Sequence, residues 1–154
     1  MSTEQKHAAI ARAEQVYKSW DRALSDLEQG TPEQTNATIE RLLALYTQDA
    51  ILESPLIPHL TGNDSGMLRG HEEIRKLLRI VAQRKPRARK YYRTGFFTDG
   101  KTLMWEYPRS TPDGEQMDFV EVMELSDEGL ICRHRVYWGW FGVRLMQQDQ
   151  YRRE

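Results

Sequence analysis

The sequence predicts an α+β fold, a cone-shaped curved antiparallel sheet packed against three helices, on three observations. Apolar residues recur at three- and four-residue steps in three early segments, the period of a helix with one buried face. From about residue 88 to residue 140 the pattern changes to alternating strands separated by Asp-Gly and Pro-Asp-Gly turns. At 154 residues the chain is long enough for one domain with a core and a pocket, and helices segregated from a strand run imply one layer on the other. The concave face of such a sheet is the natural place for a ligand pocket.

The first helix spans residues 4–29, with Ile10, Ala13, Val16, Tyr17, Trp20, Leu24 and Leu27 on one face, Thr3 as its cap and Gly30 as its stop. Thr31, Pro32 and Gln34 open the second helix as N-cap, first-turn proline and capping-box partner. Its apolar face is Ile39, Leu42, Leu43 and Tyr46. A short strand follows at 50–55, ended by Pro55. Residues 56–68 read as a long loop, a length more often functional than accidental. The third helix covers 71–84, with Ile74, Leu77, Leu78 and Val81 at helical spacing and Lys85-Pro86 as its stop. Strands are expected at 88–98, 101–110, 115–125 and 130–140, and the chain ends in a polar, partly helical tail.

Turn chemistry sets which strand residues share a face. In Thr111-Pro112-Asp113-Gly114 the proline and glycine fit a type I turn with a left-handed glycine, which pairs Thr111 with Glu115. Leu103, Trp105, Tyr107, Phe119, Glu121 and Met123 then share one face. The turn at 126–129 allows two registers. A three-residue loop puts Arg133, Arg135 and Tyr137 beside those aromatics; a four-residue loop puts His134, Val136 and Trp138 there. The second set is the more apolar, so the four-residue loop is expected, with Glu121 opposite His134.

With these residues placed, the chain resembles the nuclear transport factor 2-like superfamily, in particular its SnoaL-like and ketosteroid isomerase branch, a cystatin-like α+β barrel. One segment is Leu45-Tyr46-Thr47-Gln48-Asp49-Ala50-Ile51-Leu52-Glu53-Ser54-Pro55, followed by Arg69-Gly70-His71-Glu72-Glu73-Ile74; the other pairs 117–125 with 130–138. The resemblance spans roughly residues 15–142 and leaves 142–154 as a polar C-terminal tail. It implies a single domain binding a small apolar cyclic, polyketide- or steroid-like molecule, with proton-transfer isomerisation or cyclisation as the chemistry. In the isomerases an aspartate before the strand-end proline moves the proton; the matching position is Ser54. A second acid, in the mid-sheet strand, donates a hydrogen bond to the developing oxyanion; Glu121 matches it. The oxyanion tyrosine on the first helix corresponds to Tyr17 or Trp20, and a supporting tyrosine on the third helix to Leu78. Tyr46 and Trp138 match pocket residues. The limonene-epoxide hydrolase branch has an aspartate where Val136 stands. A non-catalytic binding or interaction module of the same fold is the alternative, favoured by Ser54.

The candidate catalytic residues are therefore Glu121 and His134. A mid-strand carboxylate on an apolar face suits acid–base work, and an acid beside an imidazole fixes its tautomer. Tyr17, Trp20, Tyr46, Ser54, Trp105, Tyr107, Phe119, Val136 and Trp138 are the candidate ligand-binding set. His59, His71 and His134 lack metal-ligand spacing, so neither metal nor cofactor is expected. The net charge of -1 gives no reason to expect nucleic acid or membrane, and the basic run 84–93 with Tyr91 and Tyr92 reads as a solvated edge strand. The lone Cys132, a polar start and the lack of a long apolar run point to a cytoplasmic protein. The opposite sheet face, with Met104, Val120, Val122, Ile131 and Tyr137 ringed by charges, suggests a homodimer.

Overall fold

A computed structural model describes residues 2–83, 95–110 and 116–147; the side chains of 107–110, 116, 117, 141, 145 and 146 lie outside that description. The elements run α1 (Thr3–Gln29), α2 (Pro32–Leu43), β1 (Tyr46–Glu53), α3 (Leu56–Thr61), β2 (Met67–Arg69), α4 (Gly70–Gln83), β3 (Phe97–Thr98), β4 (Thr102–Ser110), β5 (Gln116–Leu125), β6 (Ile131–Trp138) and α5 (Trp140–Gln147). The six strands form one curved, unclosed sheet in the order β2-β1-β6-β5-β4-β3.

Local chemistry explains most boundaries. Ser2, not Thr3, caps α1: its hydroxyl accepts the Gln5 N–H while the Gln5 side chain accepts the Ser2 N–H. Thr31 and Gln34 form the same box at the start of α2, with Pro32 in its first turn. Ala13, Val16, Trp20, Leu24 and Leu27 bury the inner stripe of α1 against the sheet, and Ile39, Leu42 and Leu43 do the same from α2. Tyr46 belongs to β1, which starts four residues before the expected strand. The expected loop at 56–68 carries both α3 and β2, because β2 pairs antiparallel with β1 through Leu52 and Leu68. The basic run 84–93, the Lys85-Pro86 stop, most of the strand expected at 88–98, the 111–114 turn and the chain end from 148 lie outside the described residues.

Two features of the sheet position everything that follows. The β4–β5 register has Trp105 opposite Glu121, Tyr107 opposite Phe119 and Leu103 opposite Met123, as the turn chemistry predicts. The β5–β6 register differs from expectation. Gly129 is left-handed and its N–H bonds the Ser126 carbonyl, while the Ser126 N–H bonds the Leu130 carbonyl. This is the three-residue turn, which pairs Leu125 with Ile131. Alone it would turn His134 away from the core. An irregularity just beyond Leu125 adds one residue to β6, so that Glu124 pairs with Arg133, Met123 with His134, Glu121 with Val136 and Phe119 with Trp138. A bulge of this kind re-aims every later side chain. The two one-residue shifts sum to two, so His134, Val136 and Trp138 return to the concave face. Ile131, expected outside, is instead fully buried in the core.

The sheet is also not purely a meander. Strand β6 runs parallel to β1, placing Leu52 beside His134 and Glu53 beside Arg135. On the convex side Arg133 reaches Glu53 at 3.4 Å and Arg135 reaches Glu124 at 2.6 Å, so both arginines are paired away from the core.

The Asp99-Gly100 turn docks on α1. Gly100 has φ +95°, and a Cβ there would lie 2.8 Å from the Ala9 Cβ and 3.2 Å from α1 backbone. Both the backbone conformation and the contact exclude a side chain. Gly100→Ala is expected to lower stability by about 1–3 kcal/mol, read as a lower urea midpoint with an unchanged slope.

Candidate functional site

The concave face carries a hollow walled by α1, α2, α4, β1, β5 and β6. Its lining is apolar apart from Glu28, Tyr46, Ser54, Glu121, His134 and the indole groups. The strand registers explain how distant residues meet there. Val136 pairs with Glu121 on one side. On the other, the β1 pairing of Glu53 with Arg135 brings Ser54, one residue later, alongside Val136. Ser54 and Glu121 therefore flank Val136 across the sheet, with Phe119 and Trp138 one step further along.

Glu121 and His134 are each only 3% exposed. They sit diagonally across β5 and β6, not directly opposite, and diagonal neighbours remain within reach of long side chains. His134 Nε2 is hydrogen-bonded to Glu121 Oε2. Its other nitrogen, Nδ1, lies 2.8 Å from the Tyr46 phenol oxygen, and that oxygen accepts the Trp20 Nε1–H at 3.0 Å. Four side chains from α1, β1, β6 and β5 thus form one continuous buried chain. Trp20 also meets the His134 ring edge to face, centroids 5.6 Å apart, which fixes the ring plane. Burial pushes the Tyr46 phenol well above its ordinary range; the Trp20 N–H pulls the other way, and the Glu121 charge adds to the rise.

Ser54 is buried, and its hydroxyl oxygen accepts the Leu56 N–H at the start of α3. Phe119 and Trp138 pack edge to face at 4.6 Å in the lining. Of the two α1 candidates, Trp20 lines the hollow, whereas Tyr17 packs against Phe96 and meets Trp105 edge to face one layer behind it. Trp105 is fully buried behind Trp20, centroids 5.2 Å apart, and is core rather than lining. Tyr107 lies on the same strand face, but its side chain falls outside the described residues. His71 Nε2 donates to the Tyr46 carbonyl at 3.1 Å and so holds the start of β1 to α4. Leu78 lines the hollow from α4.

Glu28 is a lining residue that the sequence reading does not include. It is a buried carboxylate on α1, at the end of the Trp20, Leu24, Glu28 row. The four-residue spacing of that row is the signal that could have found it.

No family model matches the chain, and no curated protein does. Solved structures match its fold. One is a steroid delta-isomerase from Pseudomonas aeruginosa, 14% identical, with TM-score 0.62 over 90% of this chain and 88% of that one. Another is a SnoaL-like protein of unknown function from Burkholderia thailandensis, 18% identical, TM-score 0.59, over 84% and 95% of the two chains. A third is SalBIII, described as an epoxide hydrolase/cyclase-like enzyme in pyran ring formation in the polyether salinomycin, 18% identical, TM-score 0.56, over 92% and 96%. The chain has the fold shared by SnoaL-like, nuclear transport factor 2-like and ketosteroid isomerase-like proteins.

Proposed function

We propose that this chain, built on the nuclear transport factor 2-like fold, binds a small apolar cyclic or polyketide-like molecule in its hollow and catalyses a proton transfer on it. One observation carries the reading: a carboxylate and an imidazole, both almost fully buried, are hydrogen-bonded to each other in the wall of an otherwise apolar hollow. Burying such a pair costs free energy that a purely structural core would avoid. Glu121 and His134 are the acid–base pair of this proposal. Ser54 and Tyr46 supply polar contacts, and Trp20, Phe119, Val136 and Trp138 supply the flat apolar walls. Isomerase and cyclase-like activities named for structures of the same fold support the class of chemistry.

Ser54, standing where the isomerases carry an aspartate, favours a second reading: a binding module without turnover. A panel of planar cyclic and polyketide-like compounds separates the two. Thermal-shift stabilisation with product formed supports the enzyme; stabilisation with every compound returned unchanged supports the module; no stabilisation by any compound counts against both.

We also propose a homodimer through the convex sheet face and, on the lone free Cys132, a cytoplasmic setting. Met104, Tyr137 and Phe97 are exposed on this side of the sheet, while Ile131 no longer contributes to it. Light scattering at micromolar concentration is expected to give twice the chain mass, and Tyr137→Glu to give the monomer.

A further inference from the structure

We propose that Trp20 and Tyr46 are positioning residues that polarise the buried chain toward Glu121, so that Glu121 enters the reaction as a base and the ligand's first step is to surrender a proton to it. This rests on the proton-transfer reading above and gives it a direction.

The argument is a count of protons along the chain. An indole N–H can only donate, so Trp20 gives its hydrogen to the Tyr46 oxygen. The Tyr46 phenol keeps its own proton, because burial holds it in the neutral form. Tyr46 is buried, and among the described residues its hydroxyl has one hydrogen-bonding neighbour besides Trp20, His134 Nδ1 at 2.8 Å. The phenol proton therefore goes to Nδ1, which makes that nitrogen the acceptor. A neutral imidazole then carries its hydrogen on Nε2, where it is donated to Glu121 Oε2. Glu121 receives this hydrogen bond as a carboxylate.

The other distributions fail at one atom. If His134 were doubly protonated, its Nδ1–H would point at the Tyr46 oxygen, already occupied by Trp20, and the phenol proton would be buried without an acceptor. If Glu121 were protonated and gave its hydrogen to Nε2, a neutral imidazole would carry its own on Nδ1, with the same result. A buried donor left without an acceptor is disfavoured. One arrangement satisfies every proton.

This sets the order of the chemistry. In the first step a bond from the ligand to hydrogen breaks, an O–H bond forms on Glu121, and the electron pair stays on the ligand. His134 keeps both its hydrogen bonds, so it orients the carboxylate and exchanges no proton with the ligand in this step. The ligand class that fits presents an acidic C–H or O–H into an apolar hollow. A ligand that needs a proton first, such as an acetal or an alkene, does not fit.

The test is the long-range proton–nitrogen NMR spectrum of the ligand-free, nitrogen-15-labelled protein at neutral pH. The chain has four histidines, so His134 is assigned by elimination with His7→Gln, His59→Gln and His71→Gln. The expected result is a pyridine-like Nδ1 and a pyrrole-like Nε2. In Tyr46→Phe the two nitrogen frequencies are expected to move toward each other as the tautomers mix; a merely structural role for Tyr46 would leave them in place. A pyrrole-like Nδ1 in the wild type, alone or with Nε2, overturns the proposal, as does an unmoved pair in Tyr46→Phe. Should Tyr46→Phe fail to fold, the wild-type spectrum decides alone. Neither measurement involves turnover, so a wrong tautomer overturns this inference while the proton-transfer reading stands, and a failure of that reading shows instead as ligand returned unchanged.

Discussion

Glu121→Gln is expected to lower turnover about 100-fold or more, the usual scale for losing a positioned acid or base, while leaving apolar ligand affinity within a few-fold of wild type. The amide keeps the shape of the side chain, and its oxygen can still accept the His134 Nε2–H. What it loses is the capacity to hold a proton. A hundredfold loss is about 2.7 kcal/mol of transition-state stabilisation, at ~1.36 kcal/mol per factor of ten. Because the apolar lining is untouched, the change belongs in kcat and not in KM. Steady-state kinetics and a binding titration on the same ligand check both halves. If turnover is unchanged, Glu121 leaves the mechanism, and Ser54, Tyr46 and His134 remain as its polar groups. If the wild type binds but never turns over, the binding-module reading holds, and Glu121→Gln then shifts affinity only modestly.

The second large effect is on stability. His134→Phe removes the N–H that Glu121 accepts and leaves a carboxylate in a site 3% exposed. Removing the hydrogen bond from a buried carboxylate costs more than the roughly 1–3 kcal/mol of an unsatisfied neutral group, because the group is charged. Glu121→Met in the wild-type background strands a neutral imidazole N–H, a smaller loss of about 1–3 kcal/mol. The double variant Glu121→Met/His134→Phe replaces both partners with apolar groups of similar size. It is expected to be more stable than His134→Phe alone, because no charge is then left buried without its partner. Urea denaturation of the four proteins gives the coupling energy directly. Additive losses in the double variant would mean that the two groups do not stabilise each other, and that the site is not the high-cost feature its burial suggests.

Much of this was readable before any coordinates. Periodicity and caps located α1, α2 and α4, since Trp20, Leu24 and Leu27 or Ile39, Leu42 and Leu43 bury only on one helical face. Pro112 and Gly114 at the second and fourth positions of the turn were enough for the β4–β5 register, because together they select a type I turn with a left-handed glycine. The β5–β6 register was not readable in the same way. Side-chain alternation reports parity alone, and here a shorter turn and a bulge each change parity once. The dyad survived because the two changes cancel, while Ile131 gave the bulge away: a β-branched residue buried three positions before His134, an odd spacing that no regular strand can bury on one face. The α1 candidates, Tyr17 and Trp20, differ by less than one helical turn, so only packing could assign Trp20 to the hollow and Tyr17 to the layer behind. The Trp20–Tyr46–His134 contacts span up to 88 positions and have no local signature at all.

The parallel pairing of β1 with β6 has a consequence for how the molecule comes into being. β6 is the last strand among the described residues, yet it lies between β1 and β5 and is hydrogen-bonded to both. Until it arrives, the β1–β2 hairpin and the β3–β4–β5 meander are separate pieces, each with an open edge. Such an ordering joins contacts far apart in sequence, which slows folding and leaves unpaired strand edges exposed meanwhile. His134 travels on that last strand, whereas Trp20 and Tyr46 are made early. On a ribosome His134 therefore reaches the hollow only when nearly the whole domain has emerged, and its arrival and the joining of the two parts of the sheet are the same event.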